Sequence, residues 1–408
     1  MARFGLLGKT LGHSYSPAIH AHFGAPDYAL FEVAQSDLAA FMRGGDWAGL
    51  NVTVPYKKAV VPFLDALSEA ARATGAVNTV VRRADGTLYG DNTDVAGLAA
   101  AVGRMGLSLS GKKAVVLGSG GGSAAAVFAL RQMGADCVVV SRTGADNYGN
   151  LERHADASLL VNATPVGMFP HNGEAPVDLA AFPALEGVFD LIYNPARTRL
   201  LLDAEARGIP AENGLYMLVA QARRSAEQFH GRAIADGEVE RVYAILRRQT
   251  LNLVLIGMPG CGKSTAARAL SEATGRPVWD ADVLFAERFG RSPAEVIRQE
   301  GEGAFRARES ELLADLGRRS GGVIATGGGA VTRPKNYASL HQNGVILWLQ
   351  RALDALPDAG RPLSQSRGAA ALYAEREPLY RQFADAAYLW REGEPCDPEA
   401  LLNTAFGE

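Results

Sequence analysis

The segment GMPGCGKST, residues 257–265, constrains this chain more than any other stretch. It follows the apolar run LNLVLI and precedes AARALSEATG, so a strand, a Gly-rich turn and a helix come in immediate succession. That order predicts a phosphate-binding loop, in which backbone amides at the turn and at the helix N-terminus face an anion. Gly260 and Gly262, with Cys261 between them, let the backbone turn toward phosphate. Lys263 reaches the outer phosphates, Ser264 offers its hydroxyl to Mg2+, and Thr265 continues the first turn of the helix.

Such a loop belongs to a parallel α/β sheet, and the rest of the chain has the same rhythm. Short apolar runs such as RFGLLG, GLNVTV, AVVLGSG, SLLVNAT and VILWL alternate with Ala-rich helical stretches. The pattern predicts α/β architecture with parallel sheets buried on both faces. Gly-rich turns close three of the runs, at 118–122, 257–262 and 327–329. Ligands gather at the carboxyl ends of parallel strands, so two separate ligand sites are expected. A length of 408 residues predicts two to three domains. The clearest seam is at 247–250, where GEVERVYAILRR runs almost directly into LNLVLIG.

Composition narrows the function classes. Hydrophobic residues at 48% and charged residues at 21% supply ample core and exclude global disorder. The net charge is −3, shared as −1 before Thr250 and −2 after it, which argues against a nucleic-acid partner. Cys137, Cys261 and Cys396 lack paired spacing, so neither disulfides nor zinc are expected and a reducing cytoplasm fits. No stretch reads as an export signal or as about 18 uninterrupted apolar residues, so no membrane span is expected.

After the phosphate loop come WDADVLF, GEGAFRARE, VIATGGGAV, GRPL and AEREPLY, in that order. Over about 160 residues this succession resembles the shikimate kinase family. The resemblance implies that Asp282 binds and helps activate the acceptor hydroxyl, and that Arg306 and Arg376 pair with the carboxylate of shikimate. Gly327, Gly328 and Gly329 would contact the ring hydroxyls, and Arg361 would stabilise charge on the phosphoryl group in transfer. ATP and Mg2+ are the implied cofactors. One departure is that the segment 350–360 is short and lacks the second arginine usually found there, which weakens the expected adenine contact.

Before residue 250 the words are GHSYSPAIH, NVTVPYK, GAVNT, GDNTD, NATPVGM, DLIYNP and NGLYMLVAQA. Ser16 and Pro17 also read as the N-cap and first residue of a helix. Together the words resemble the shikimate dehydrogenase family, which implies a substrate lobe beside a Rossmann lobe for NADP(H). By that resemblance Ser14, Ser16, Asn51, Thr53, Asn78 and Gln221 hydrogen-bond a small polyhydroxylated ring acid, with Tyr193 beside them. The resemblance also implies that Lys57 and Asp94 form the catalytic pair, a role that suits an ammonium able to stabilise charge growing on a carbonyl oxygen and supply its proton. Gly118, Gly120, Gly121 and Gly122 provide the pyrophosphate turn, with Ser141, Arg142, Thr143, Thr164 and Gly214 completing the cofactor set. No acidic residue ends the second strand, and Arg142 in SRT suits a 2′-phosphate, so NADP is favoured over NAD. Ala124 stands where an arginine is common, Ser141 replaces the usual Asn, and the second basic residue after SRT is missing; these departures predict modest cofactor affinity. Only about 20 residues separate Arg142 from Asn162, which predicts a trimmed Rossmann lobe.

The expected architecture is therefore a two-lobed dehydrogenase with a Rossmann NADP domain followed by a P-loop kinase domain with a parallel sheet. Its divisions are 1–98 completed by 214–248, 99–213, and 250–408. The expected function is NADPH-dependent reduction of 3-dehydroshikimate to shikimate, then ATP-dependent phosphorylation of shikimate, by a cytoplasmic monomer or homodimer. The rivals are a quinate dehydrogenase using NAD, or a chain in which one half has become a binding module.

Overall fold

The computed structural model describes residues 3–12, 14–356, 368–391 and 393–407; Arg361 therefore lies outside the described residues. The chain divides into two compact units, one of 1–194 with 198–245 and one of 246–408 with 195–197.

The first unit holds two sheets. One contains β1 (Phe4–Gly8), β2 (Ala29–Glu32), β3 (Gly49–Val52), β4 (Ala66–Leu67), β5 (Thr79–Arg82) and β6 (Leu88–Asp91), in the order β2-β1-β3-β5-β6-β4. Its strands β1, β2 and β3 are parallel, but β5 runs antiparallel to both β3 and β6. This corrects the expectation of parallel sheets throughout. The cause is local: a tight turn joins β5 to β6, with Asp85 Oδ1 accepting from Thr87 N at 3.0 Å, and so short a connection can join only antiparallel neighbours. Leu7, Leu50, Val77 and Val80 are fully buried and form the heart of this core.

The other sheet holds β7 (Lys113–Leu117), β8 (Asp136–Val140), β9 (Leu159–Asn162), β10 (Gly187–Asp190) and β11 (Ala211–Glu212), all parallel, in the order β11-β10-β9-β7-β8. Strand order reverses between β7 and β9, which opens a crevice at their carboxyl ends. The connection from β8 to β9 contains one short 3₁₀ turn, Leu151–His154, and no α-helix; β8 stands at the sheet edge. The helix Gly214–His230 then packs on the helix Asp94–Arg104. Asn213 caps it, its Oδ1 accepting from Leu215 N at 2.9 Å.

The second unit is one parallel sheet of β12 (Asn252–Ile256), β13 (Val278–Asp280), β14 (Val323–Ala325), β15 (Gly344–Gln350) and β16 (Ala386–Leu389), ordered β13-β14-β12-β15-β16. Every residue of β12 is buried, as the central strand of a sheet covered on both faces requires. Its core runs from Leu253 and Val254 through Phe285 and Leu313 to Leu401.

Candidate active sites

In the first unit, the turn after β3 carries Lys57. The turn is pinned on both sides: Tyr56 donates its hydroxyl to Val33 O at 2.5 Å, and Lys57 O accepts from Val77 N at 2.8 Å. Lys57 Nζ lies 2.5 Å from Asp94 Oδ2, with the two side chains 25% and 14% exposed. Asp94 opens the helix Asp94–Arg104, where the helix dipole favours a negative charge. Asn78 Nδ2 donates to Asp94 Oδ1 at 2.9 Å and to Gln221 Oε1 at 3.4 Å. Gln221 comes from the helix Gly214–His230, so four separate chain segments meet in the network around the ion pair.

Beneath this group lies a buried layer. Asn51 Oδ1 accepts from Tyr28 Oη at 2.7 Å, and its Nδ2 donates to Ser225 Oγ at 2.8 Å and Thr79 Oγ1 at 3.2 Å. Asn51 is only 5% exposed, so it sits in the floor of the site with both ends of its amide engaged. His20 stacks on Tyr28, ring centroids 4.2 Å apart, and burial drives its pKa down to about 3. Ser14 Oγ accepts from Ser16 N at 3.1 Å. Ser16 is thus the first helical residue of Ser16–His22 and Tyr15 occupies the cap, which corrects the expected Ser16 cap: Ser14, two residues earlier, meets the free amide. Thr53 follows β3, its amide bonded to Leu7 O at 2.9 Å, and Tyr193 packs against Tyr15 at 5.7 Å between ring centroids.

The crevice between β7 and β9 opens a cavity of about 590 Å³ lined by Gly118, Gly120, Ser141, Arg142, Tyr148 and Thr164. Gly120 precedes the helix Gly121–Gln132 without any side-chain cap, which leaves the first amides for an anion. Arg142 is exposed, and Ser141 N is tied to Asp146 O at 3.1 Å. Tyr148, which no sequence pattern singled out, closes one wall; burial raises its pKa and Arg142 opposes the rise. Gly121, Gly122, Thr143 and Gly214 do not line the cavity. Gly214 instead packs where a Cβ would stand 2.1 Å from Leu191 O, at the start of its helix.

In the second unit one cavity of about 600 Å³ reaches from the phosphate loop to the acceptor residues. Gly260, Gly262, Lys263, Ser264 and Thr265 line one end, whereas Cys261 is buried beneath. Lys263 begins the helix Lys263–Thr274 and donates to Gly257 O and Met258 O, both at 2.9 Å, which folds the loop around its ammonium. Ser264 Oγ donates to Asp280 Oδ2 at 2.7 Å. Asp280 also caps the helix Ala281–Phe289, and its position beside Ser264 gives a hydroxyl and a carboxylate, the oxygen donors that Mg2+ takes alongside phosphate. Sequence reading stopped at Asp282 and missed Asp280, although both stand in WDADVLF.

Asp282, Arg306, Gly327, Gly328, Gly329 and Arg376 line the other end of the same cavity. Burial first, then Asp280, raises the pKa of Asp282, while Lys263 and Arg306 pull it down. A raised carboxylate is a better base toward a hydroxyl. Arg306, on the helix Glu302–Gly317, is 4% exposed and held by Glu309 Oε2 at 2.6 Å and Glu302 Oε1 at 3.1 Å. Arg376 Nη1 donates to Gly328 O at 3.3 Å, and Tyr380 Oη donates to the same oxygen. Glu309 Oε1 and Arg376 Nε are buried without a partner, the condition expected of groups that await a polar ligand. A Cβ on Gly329 would stand 1.9 Å from Arg306 Nη2, so the guanidinium reaches the cavity only past a glycine. Arg351, directly after β15 and itself within 350–360, also lines the cavity with its guanidinium 5.9 Å from the Trp390 ring, so that short segment still brings one cation to the site.

Comparison with known proteins finds two families in the chain. Residues 6–80 match the model of the shikimate dehydrogenase substrate binding domain, and residues 259–395 match that of shikimate kinase. The shikimate dehydrogenase (NADP(+)) of Oleidesulfovibrio alaskensis is 38% identical over 266 residues, covering 59% of this chain and 94% of that protein. Among solved structures, shikimate 5-dehydrogenase of Thermus thermophilus in complex with NADP(H) and shikimate is similar at 34% identity and a TM-score of 0.54, covering 60% of this chain and 98% of its own. A chorismate mutase/shikimate 5-dehydrogenase fusion from Clostridium acetobutylicum is similar at 35% identity and a TM-score of 0.56, covering 60% of this chain and 97% of its own.

Proposed function

The chain belongs to the shikimate dehydrogenase family through its first unit and carries a shikimate kinase domain after it, and from that premise we propose two consecutive reactions on one polypeptide. The first is NADPH-dependent reduction of 3-dehydroshikimate to shikimate. The second is ATP-dependent phosphorylation of shikimate to shikimate 3-phosphate, a step toward aromatic amino acids. The observation that carries the pairing is a Lys57–Asp94 ion pair in one unit and, in the other, a cavity joining a phosphate loop to two buried arginines.

When bound, NADPH supplies the reducing equivalent, ATP the phosphoryl group and Mg2+ its charge neutralisation. In the first site Lys57 Nζ gives a proton to the carbonyl oxygen as that oxygen gains charge, and Asp94 keeps the ammonium aimed. Ser14, Ser16, Thr53, Asn78 and Gln221 discriminate by hydroxyl recognition, since a site built to bond a hydroxyl rejects analogues without one. Arg142 takes the 2′-phosphate, and Gly118 and Gly120 let the backbone approach pyrophosphate. In the second site Asp282 holds the acceptor hydroxyl and takes its proton, while Arg306 and Arg376 clamp the carboxylate. Ser264 and Asp280 hold Mg2+, Lys263 holds the outer phosphates, and Arg361 is assigned the transferring group. The lobes of the first unit are taken as 1–98 with 214–248 and as 99–213, with the kinase at 250–408. Among the described residues no helix is long and apolar enough to cross a membrane; we take the chain as a cytoplasmic enzyme of small molecules. A monomer or homodimer without nucleic-acid partners is the working form.

The test is a coupled assay on the full chain, given 3-dehydroshikimate and NADPH and then ATP with Mg2+. NADPH absorbance and phosphorylated product are scored separately. NADPH consumption followed by ATP-dependent shikimate 3-phosphate is expected; a half with no turnover is a binding module.

A further inference from the structure

We propose that Asp190 is a positioning residue of the dehydrogenase half: through Asn162 it fixes Thr164 in the wall of the cofactor cavity. The inference rests on the dehydrogenase reading given above. Asp190 ends β10, has no exposed surface, and faces Asn162 at the end of β9 as its register partner. Its oxygens are fully engaged. Oδ1 accepts from Asn162 Nδ2 and from Ile192 N, each at 3.0 Å, and Oδ2 accepts from Thr198 Oγ1 at 2.7 Å.

The consequence lies in the amide of Asn162. An amide can present either end to a neighbour, but a carboxylate accepts only its N–H end. Asp190 therefore turns Asn162 Oδ1 the other way, where it accepts from Thr164 N at 3.0 Å and Thr164 Oγ1 at 2.7 Å. Thr164 shares the cavity wall with Gly118 and Arg142. The same carboxylate fixes Ile192, whose carbonyl accepts from Gly214 N at 3.1 Å, so the start of the helix bearing Gln221 is tied to the same anchor.

Among the described residues, no cation balances this charge. The groups acting on it from β9, from the turn after β10 and from the start of the helix Arg199–Ala206 are Asn162, the Ile192 amide and Thr198, all neutral. Burial lifts the carboxyl to about 6. Protonation removes the charge that strengthens the bonds from Asn162 Nδ2 and Ile192 N, and the hold on Asn162 weakens.

The experiment measures NADPH binding by fluorescence and steady-state reduction on the full chain, for wild type, Asp190→Ala, Thr164→Val, the double variant and Asp190→Asn. Asp190→Ala is expected to raise the Kd and KM for NADPH about tenfold, the loss of one hydrogen-bonded contact, with kcat little changed and shikimate phosphorylation intact. Thr164→Val should raise them similarly, and the double variant no further, because both act on one contact. Asp190→Asn keeps the side-chain shape and removes the charge, so the ratio of wild-type to Asp190→Asn KM for NADPH should rise as pH falls through about 6. An unchanged KM in Asp190→Ala, or single effects that add in full, would overturn the proposal. If Asp190→Ala does not fold, the Asp190→Asn ratio decides, and a ratio independent of pH overturns it. Wild type that neither binds NADPH nor reduces 3-dehydroshikimate would overturn the dehydrogenase reading itself, and this inference with it.

Discussion

Lys57 is aimed by its surroundings, with its ammonium 2.5 Å from Asp94 and its carbonyl bonded to Val77 N. Replacing it with alanine removes the proton source while leaving the backbone bonds in place. Lys57→Ala should lower the rate of 3-dehydroshikimate reduction about 10²- to 10⁴-fold, the usual span of general acid–base catalysis, in an NADPH-absorbance assay. Phosphorylation of added shikimate by the same preparation should not change. Arg142 is exposed at the cavity mouth, and its contribution is charge toward a 2′-phosphate. Arg142→Ala should reduce the preference for NADP over NAD, as a ratio of kcat/KM values, by about one to two decades. An unchanged ratio would favour the NAD-using rival. His20 is buried, and burial pushes its pKa down to about 3 from the 6.5 usual for histidine. The unfolded chain takes up that proton below about pH 6.5 while the folded chain does not, so stability is lost as pH falls from about 6.5 toward 3. At pH 5 the difference is about 2 kcal/mol. His20→Phe keeps the ring stacked on Tyr28 and removes the titration, so urea unfolding should show it gaining on wild type at pH 5 relative to pH 7.5.

At the scale of elements, close approach between backbones is the main constraint, as Gly214 shows. A Cβ there would stand 2.1 Å from Leu191 O, and a carbonyl in a turn cannot swing aside as a flexible side chain can. Gly214→Ala should push the helix Gly214–His230 away from the turn after β10 and carry Gln221 with it. The expected result is a loss of about 1–3 kcal/mol, typical of overpacking, in denaturant unfolding, together with a raised KM for 3-dehydroshikimate. Strand, turn and helix successions were legible in sequence because they are local: LNLVLI into GMPGCGKST carries its own geometry, and so does AVVLGSG before the helix Gly121–Gln132. The short path from Arg142 to Asn162 was legible as well, and the fold shows it as one 3₁₀ turn. Strand direction was not: β5 is not among the runs read as strands, and its tight turn to β6 sets that pair antiparallel. Tyr148, Asp280 and Arg351 escaped for a related reason: their roles come from contacts made only in the fold, with Arg142, Ser264 and Trp390. Glu309 was within reach, three residues after Arg306 on one helix face, the spacing at which side chains meet.

Across the whole molecule, each unit has a hydrophobic core and ligand cavities of its own: Leu7, Leu50, Val115 and Leu160 in one, Leu253, Phe285 and Leu313 in the other. A ligand that binds only the folded state stabilises it by RT ln(1 + [L]/Kd), about 2.7 kcal/mol at a hundredfold excess over Kd. For a unit of roughly 150 to 250 residues this raises the melting midpoint by about 5–10 °C. NADP+ should therefore lift one transition in differential scanning calorimetry and ADP with Mg2+ the other. Lys263 is 8% exposed and binds two loop carbonyls, so Lys263→Ala removes a phosphate contact together with the bonds that fold the loop. It should abolish the ADP shift while leaving the NADP+ shift at its wild-type size. A single transition that both ligands raise equally, in wild type and variant alike, would mean that the two cores unfold as one. The assignment of one nucleotide to each would then have to rest on direct binding instead.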